Sequence, residues 1–252
     1  MEREQRVSFS NNRGETLIGI LHQPAGSQTP LAAILCHGME SSKETEKLIS
    51  LSRTLARRGF LVLRFDFAYA GESSGKFEEI TYSSEVDDLK AAFNFLLGYH
   101  VSKISILGSS MGGTVALLFA AQETRVAALV TVAAPFHPEK ITERLLTSEE
   151  LKQWQQVGFT TYHGRRINIS LFEDLKRLDL TETAKKITCP VSIIHGDTDE
   201  TVPVTDAYDL YHQLGGPKQI HILPGSDHRF SNGSQLDGAL RESIDWIAHY
   251  LQ

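Results

Sequence analysis

Three things are scarce in this chain of 252 residues, and each scarcity removes a class of protein. Cysteine is nearly missing: only Cys36 and Cys189 are present, too few for the disulfide framework of a small secreted scaffold. Each lies in or beside an apolar segment, which predicts two buried free thiols in a reducing compartment. Long apolar runs are missing too, since no stretch approaches the roughly eighteen residues of a membrane span. The opening Met1-Glu2-Arg3-Glu4-Gln5-Arg6 is charged and lacks the apolar stretch of a secretory signal. Finally there is no block of Lys and Arg, and the net charge of −6 leaves no electrostatic footprint for nucleic acid. The chain therefore reads as a soluble, cytoplasmic globular protein with neither nucleic acid nor membrane as partner. It is long enough for one sizeable core, so residues 1–252 are expected to form a single domain.

No internal repeat or low-complexity tract stands out; what recurs is strand followed by helix. Val7–Phe9 and Leu17–His22 suggest an antiparallel pair around the turn Asn11-Asn12-Arg13-Gly14. Leu31–Cys36 is a continuous apolar run, as a strand buried on both faces is, and Phe60–Phe65 reads as a second buried strand. Between them Glu44–Arg58 carries Leu48, Leu51 and Leu55 at helical spacing and stops at Gly59. A second stripe, Val86, Leu89, Phe93, Leu96 and Leu97, ends near Gly98. Further strands are expected at Lys103–Leu107, Ala127–Ala134, Val191–His195 and Gln219–Leu223, with helices at Thr205–Leu214 and Leu236–Leu251. This alternation predicts an α/β fold, a mostly parallel sheet with helices on both faces. Ligands of such sheets bind at the carboxyl ends of the strands.

The rhythm breaks once. About fifty residues, 136–186, separate two sheet strands; they hold a polar helix candidate (Ser148–Gln156), a hairpin signal (Phe159–Tyr162 and Arg166–Ile169 around His163-Gly164) and a helical piece (Ile169–Leu178). Trp154, Phe159, Tyr162 and Phe172 give this insertion more apolar surface than a decorative excursion needs. Placed after a strand's carboxyl end, it is expected to sit over the site as a cap.

Gly108-Ser109-Ser110-Met111-Gly112 follows a run of β-formers and precedes the apolar helical stretch Gly113–Ala121. The bare G-x-S-x-G pattern is weak; at a strand-to-helix junction it reads as a nucleophile elbow, with small residues at Gly108 and Gly112 because strand and helix pack closely there. A serine hydroxyl needs a histidine base oriented by a carboxylate, in chain order Ser, acid, His. Of ten histidines, His228 is the best base, because it alone lies in a Gly-rich loop past the last strand. His221 would point from within a strand and His212 lies on a helix. For the acid, Asp197, Asp199 and Glu200 crowd one loop, and spacing does not separate Asp197 from Asp199. The oxyanion needs two donors: the backbone N–H of Met111 at the helix start, and one after the first buried strand, where Cys36-His37-Gly38-Met39 offers the amide of Met39. Gly38 allows the close approach, and His37 is expected to brace the loop. Ser109 has no role legible in the sequence.

These residues resemble the α/β-hydrolase superfamily over nearly the whole chain. The likeness is greatest to the compact capped serine esterases that include cinnamoyl (feruloyl) esterases and serine-aminopeptidase-like hydrolases. The matching segments are His37-Gly38, Arg64-Phe65-Asp66 with Gly71-Glu72-Ser73-Ser74-Gly75, the elbow Gly108–Gly113, and His195-Gly196-Asp197-Thr198-Asp199-Glu200-Thr201-Val202-Pro203. The last fits H-G-x-x-D-x-x-V-P, in which the catalytic acid falls on Asp199; Gly225-Ser226-Asp227-His228 fits the loop of the base. The resemblance implies a Ser110–Asp199–His228 triad that hydrolyses small carboxylic esters of a short acyl or aromatic acid, without metal or organic cofactor. Two departures stand out. Phe67-Ala68-Tyr69-Ala70-Gly71-Glu72-Ser73 lacks the first glycine of D-x-x-G-x-G-x-S, which is expected to alter the rim of the site. The insertion is richer in charge (Glu143, Arg144, Glu149, Glu150, Lys152), which argues against an aromatic-acid substrate. Rival readings on the same triad are a peptidase that takes a free amino terminus with Glu149 and Glu150, or an acyltransferase or perhydrolase. A non-enzymatic binding module is disfavoured because all three triad members are present.

Overall fold

The computed structural model of the chain describes residues 3–25 and 29–251, without side-chain detail at 143–145. The start of the charged opening and the side chains of Glu143 and Arg144 thus lie outside the described residues. Strands β1 (Arg3–Ser10) and β2 (Thr16–Gln23) form the expected antiparallel pair. Asn11 closes their turn, its side-chain oxygen accepting the N–H groups of Arg13 and Glu15. Then follow β3 (Leu31–Cys36), α1 (Glu46–Arg57), β4 (Leu61–Phe65), α2 (Tyr82–Leu97), β5 (Lys103–Ser109), α3 (Met111–Ala120) and β6 (Val126–Val132). After the insertion come β9 (Val191–Gly196), α8 (Val204–Gln213), β10 (Lys218–Leu223) and α9 (Gly233–Leu251).

The eight sheet strands run in the order β1-β2-β4-β3-β5-β6-β9-β10; β2 is antiparallel to both neighbours and every pair from β4 to β10 is parallel. The apolar runs explain this arrangement. In β3, Ala32, Ile34 and Cys36 join one core with α2, α3 and α8, while Ala33 and Leu35 join the other with α1 and α9. A strand whose side chains alternate between two apolar layers has no solvent face, so it reads as unbroken hydrophobic sequence. Cys36 and Cys189 are buried free thiols. No described helix is long and apolar enough to cross a membrane.

The inserted segment is more helical than its sequence suggested. Besides α5 (Ser148–Val157), the hairpin of β7 (Phe159–Tyr162) and β8 (Arg165–Asn168), and α6 (Ser170–Leu175), it contains α4 (Pro138–Leu145) and α7 (Leu180–Lys186). Their signals are local. Pro138 stands at the start of α4, where its missing N–H is no loss. Asp179 caps α7 by accepting the Glu182 N–H, and Lys185 and Lys186 occupy its last turn. The piece expected at Ile169–Leu178 therefore ends early, and a new helix starts at Leu180.

Candidate active site

The turn between β5 and α3 carries Ser110 at φ 53° and ψ −128°, a left-handed conformation that a non-glycine residue rarely adopts. The close packing that forces it is visible in the flanking glycines. A Cβ on Gly108 would lie 2.2 Å from the Gly112 carbonyl oxygen, and one on Gly112 would lie 2.3 Å from that of His37. The Ser110 N–H is tied to the Val132 carbonyl of the neighbouring strand at 2.8 Å. Backbone strain and a sheet anchor together fix where the hydroxyl points.

His228 arrives from the loop after β10, as the topology requires. Its Nε2 lies 3.1 Å from Ser110 Oγ and its Nδ1 2.7 Å from Asp199 Oδ2. The loop after β9 presents Asp199 with a side chain fully buried. Its Oδ1 accepts the N–H groups of Thr201 and Val202 at 2.9 and 2.7 Å. Burial works against the ionised carboxylate. Hydrogen bonds from His195 and His228, the His228 charge and the Val202 amide outweigh it and hold Asp199 well below the usual carboxylate range. An ionised Asp199 keeps the proton of His228 on Nδ1, which leaves Nε2 free to accept from the serine. Asp197 lies exposed on the same loop, accepting the Gly225 N–H at 2.6 Å. The structure thus separates two carboxylates that spacing left equivalent.

At the end of β3, His37 is buried, and burial lowers its pKa, so the ring is neutral. Its Nε2 accepts the Phe67 N–H at 3.1 Å and its Nδ1–H donates to the Gly38 carbonyl at 2.7 Å. His37 therefore ties the Gly38-Met39 turn to the loop after β4. Among the described residues neither the Met39 nor the Met111 N–H has a hydrogen-bond partner. Met39 and Met111 also share the wall of one pocket. His221 in β10 instead lies 3.4 Å from Glu242, and His212 is on α8, both away from Ser110.

Three contacts were not legible in advance. His195 Nε2, bonded to the Val202 carbonyl at 2.9 Å, also lies 3.4 Å from Asp199 Oδ2; its only sequence signal is its place in the acid-loop motif. Lys47 Nζ donates to Ser109 Oγ at 2.7 Å, which gives that serine a partner, and burial pushes the ammonium down to about 8. The signal was a lysine one turn before Leu51 on the apolar side of α1. Tyr69, expected at the rim, turns inward: its hydroxyl donates to buried Glu85, and none of Ala68, Tyr69 and Glu72 lines the pocket. The loop that carries them is instead held by Asp66, which accepts the Glu72 N–H at 3.0 Å and the buried Lys43 ammonium at 2.7 Å. Among the described residues no cluster of His, Cys, Asp and Glu is arranged to hold a metal ion.

A strained serine at a strand-to-helix turn, in a sheet whose parallel strands deliver His228 and Asp199 to it, defines a class as much as a site. The model of the α/β hydrolase domain family matches residues 30–185, and the chain belongs to that family. It is 24% identical over 242 residues to the mitochondrial palmitoyl-protein thioesterase ABHD10 of Mus musculus, covering 92% of this chain and 80% of that protein. The structure of Est1E from Butyrivibrio proteoclasticus with ferulic acid superposes with a TM-score of 0.84 at 23% identity, over 96% of this chain and all of the other (100%). The esterase domain of a Rhodothermus marinus protein superposes at 0.77 with 27% identity, over 99% and 100% of the two chains.

Proposed function

We propose that this protein is a serine hydrolase of carboxylic esters, with Ser110 as nucleophile, His228 as general base and acid, and Asp199 as the carboxylate that orients it. The observation that carries this reading is the continuous line from Asp199 Oδ2 through His228 to Ser110 Oγ, with contacts of 2.7 and 3.1 Å. Ser110 Oγ attacks the ester carbonyl as its proton passes to His228 Nε2. The amides of Met39 and Met111 receive the oxyanion, and His228 returns the proton to the departing alkoxide. Water then cleaves the acyl-enzyme through the same groups. Segment 136–186 acts as the cap and supplies the wall that holds the acyl group. The esterase and thioesterase names borne by similar proteins support the reaction class.

A peptidase reading would need a carboxylate to receive the free amino terminus. Glu149 and Glu150 are exposed, and Glu150 is engaged by Thr147 at the start of α5. No described acidic side chain lines the pocket beside Met39 and Met111. Ester hydrolysis therefore stands ahead of peptide hydrolysis. Labelling with a fluorophosphonate tests the nucleophile: the adduct is expected on the peptide bearing Ser110, and an adduct elsewhere, or none on folded protein, contradicts the assignment.

A further inference from the structure

The hairpin of β7 and β8 reverses in two residues. Tyr162 pairs with Arg165, and His163 and Gly164 between them have φ of 47° and 77°. Such a turn requires positive φ at both central positions, so Asn-Gly and Gly-Gly are its usual sequences. Histidine is a poorer local choice there, and a contact elsewhere accounts for it. The Nδ1 of His163 lies 3.0 and 3.2 Å from the two carboxylate oxygens of Glu40, the residue after Met39. A carboxylate only accepts, so the ring carries a proton on Nδ1 and donates it there. Among the described residues the Glu40 side chain has no other hydrogen-bond partner. Neighbouring contacts hold the hairpin tip in place. The Arg165 guanidinium lies over the Phe77 ring at 3.4 Å, and the Tyr162 ring stacks on His163 at 4.1 Å. Tyr162 also feels Glu40 directly, since burial and then that carboxylate raise the pKa of its phenol.

Glu40 belongs to the turn that offers the Met39 amide. The Ser41 N–H bonds the Gly38 carbonyl at 3.1 Å, which makes Met39 and Glu40 the central pair of a β-turn. Buried His37 braces this turn from the sheet side through the same carbonyl, at 2.7 Å. Glu40 gives it a second brace, from the inserted segment. We propose that His163 is a positioning residue: by clasping Glu40 it fixes the turn that presents the Met39 amide to the oxyanion. Segment 136–186 then contributes to the rate of the reaction as well as to the wall of the pocket. The proposal rests on the ester-hydrolase reading. Exposure bounds its size, because the side chains of His163 and Glu40 are 64% and 30% exposed. Ion pairs so open to solvent shift an equilibrium by up to about fivefold. The effect falls on kcat, since the amide is fully engaged only when the carbonyl oxygen becomes charged.

The test is p-nitrophenyl butanoate hydrolysis by the whole chain and its variants, with the melting temperature of each recorded. His163→Gly keeps a residue suited to the turn but removes the ring. Its kcat is expected to fall about threefold to fivefold, with KM and melting temperature close to the parent's. His163→Asn suits the turn equally well and places an amide N–H where Nδ1 stood, so it is expected to restore most of that loss. Glu40→Ala is expected to match His163→Gly, and the double variant to be no slower than either single one. An unchanged kcat in His163→Gly or Glu40→Ala overturns the proposal. So does a loss confined to KM, an equal loss in His163→Asn, or losses that multiply in the double variant. Each of these outcomes leaves the ester-hydrolase reading standing, because the parent hydrolyses the ester. No hydrolysis by the folded parent overturns that reading, and this proposal with it.

Discussion

Gly38 and Ser110 meet so closely that a Cβ on the glycine would lie 3.1 Å from the Cβ of the serine and 3.7 Å from its Oγ. The turn after β3 and the elbow after β5 are thus one packed unit, in which the backbone proposed to hold the oxyanion lies against the proposed nucleophile. Gly38→Ala must displace one of the two by a few tenths of an ångström. Since positioning errors on the order of 1 Å lower rates by about a hundredfold, kcat is expected to fall tenfold or more with only a small change in melting temperature. Unchanged kcat in the folded variant would show that the turn does not contribute to the reaction.

Asp199 and Asp197 offer an internal comparison. Asp199→Asn removes the charge that holds the Nδ1 proton of His228, so kcat is expected to fall by about 10⁴-fold with the fold retained. Asp197→Asn weakens only an exposed bond to the Gly225 amide and is expected to leave kcat within a few-fold. The reverse order would identify Asp197 as the orienting acid.

Lys47 and Glu85 make opposite predictions about stability and pH. The Lys47 amine titrates near 8 in the folded chain and at an ordinary value of about 10.5 when unfolded, because burial disfavours its charge. Between about pH 8 and 10.5 the unfolded chain holds a proton that the folded one has lost, so this group makes the fold more stable as pH rises through that window. Below it the penalty is complete. The urea-midpoint gain of Lys47→Met over the parent is therefore expected to be larger at pH 7.5 than at pH 10; parallel midpoints would contradict it.

Burial raises the pKa of Glu85 well above normal despite the Tyr69 hydroxyl that bonds it, and among the described residues its Oε2 has no partner. As pH rises past about 4.3 the unfolded chain ionises at this residue and the folded one does not, so its contribution declines with rising pH. Glu85→Gln, which mimics the neutral acid, is expected to melt no lower than the parent at pH 7 and to show a flatter melting curve against pH between 4 and 7. A large loss of stability at pH 7 would mean that Glu85 is ionised in the fold.

The parts legible in the sequence are those whose cause is local. β3 is buried on both faces and is therefore an unbroken apolar run; Gly108 and Gly112 are fixed by contact distances within one turn. The loops bearing Asp199 and His228 were legible because parallel strands deliver their carboxyl ends to one edge. Choosing between Asp197 and Asp199 needed a family pattern, since both lie on one loop and only tertiary packing buries one of them. Lys47 was opaque for the same reason: its partner Ser109 is 62 positions away on another element. Helix α4 and the pocket that Met39 and Met111 share depend on several short elements packing together, and no single one carries the periodicity that would announce them.

The central claim is that Ser110 is the nucleophile, and the most direct measurement compares p-nitrophenyl ester hydrolysis by the parent and by Ser110→Ala, with both shown to be folded. Removal of a triad serine typically lowers kcat by about 10⁶-fold, so the variant is expected to fall to the background rate. Activity within tenfold of the parent would place the chemistry on another residue and contradict the account.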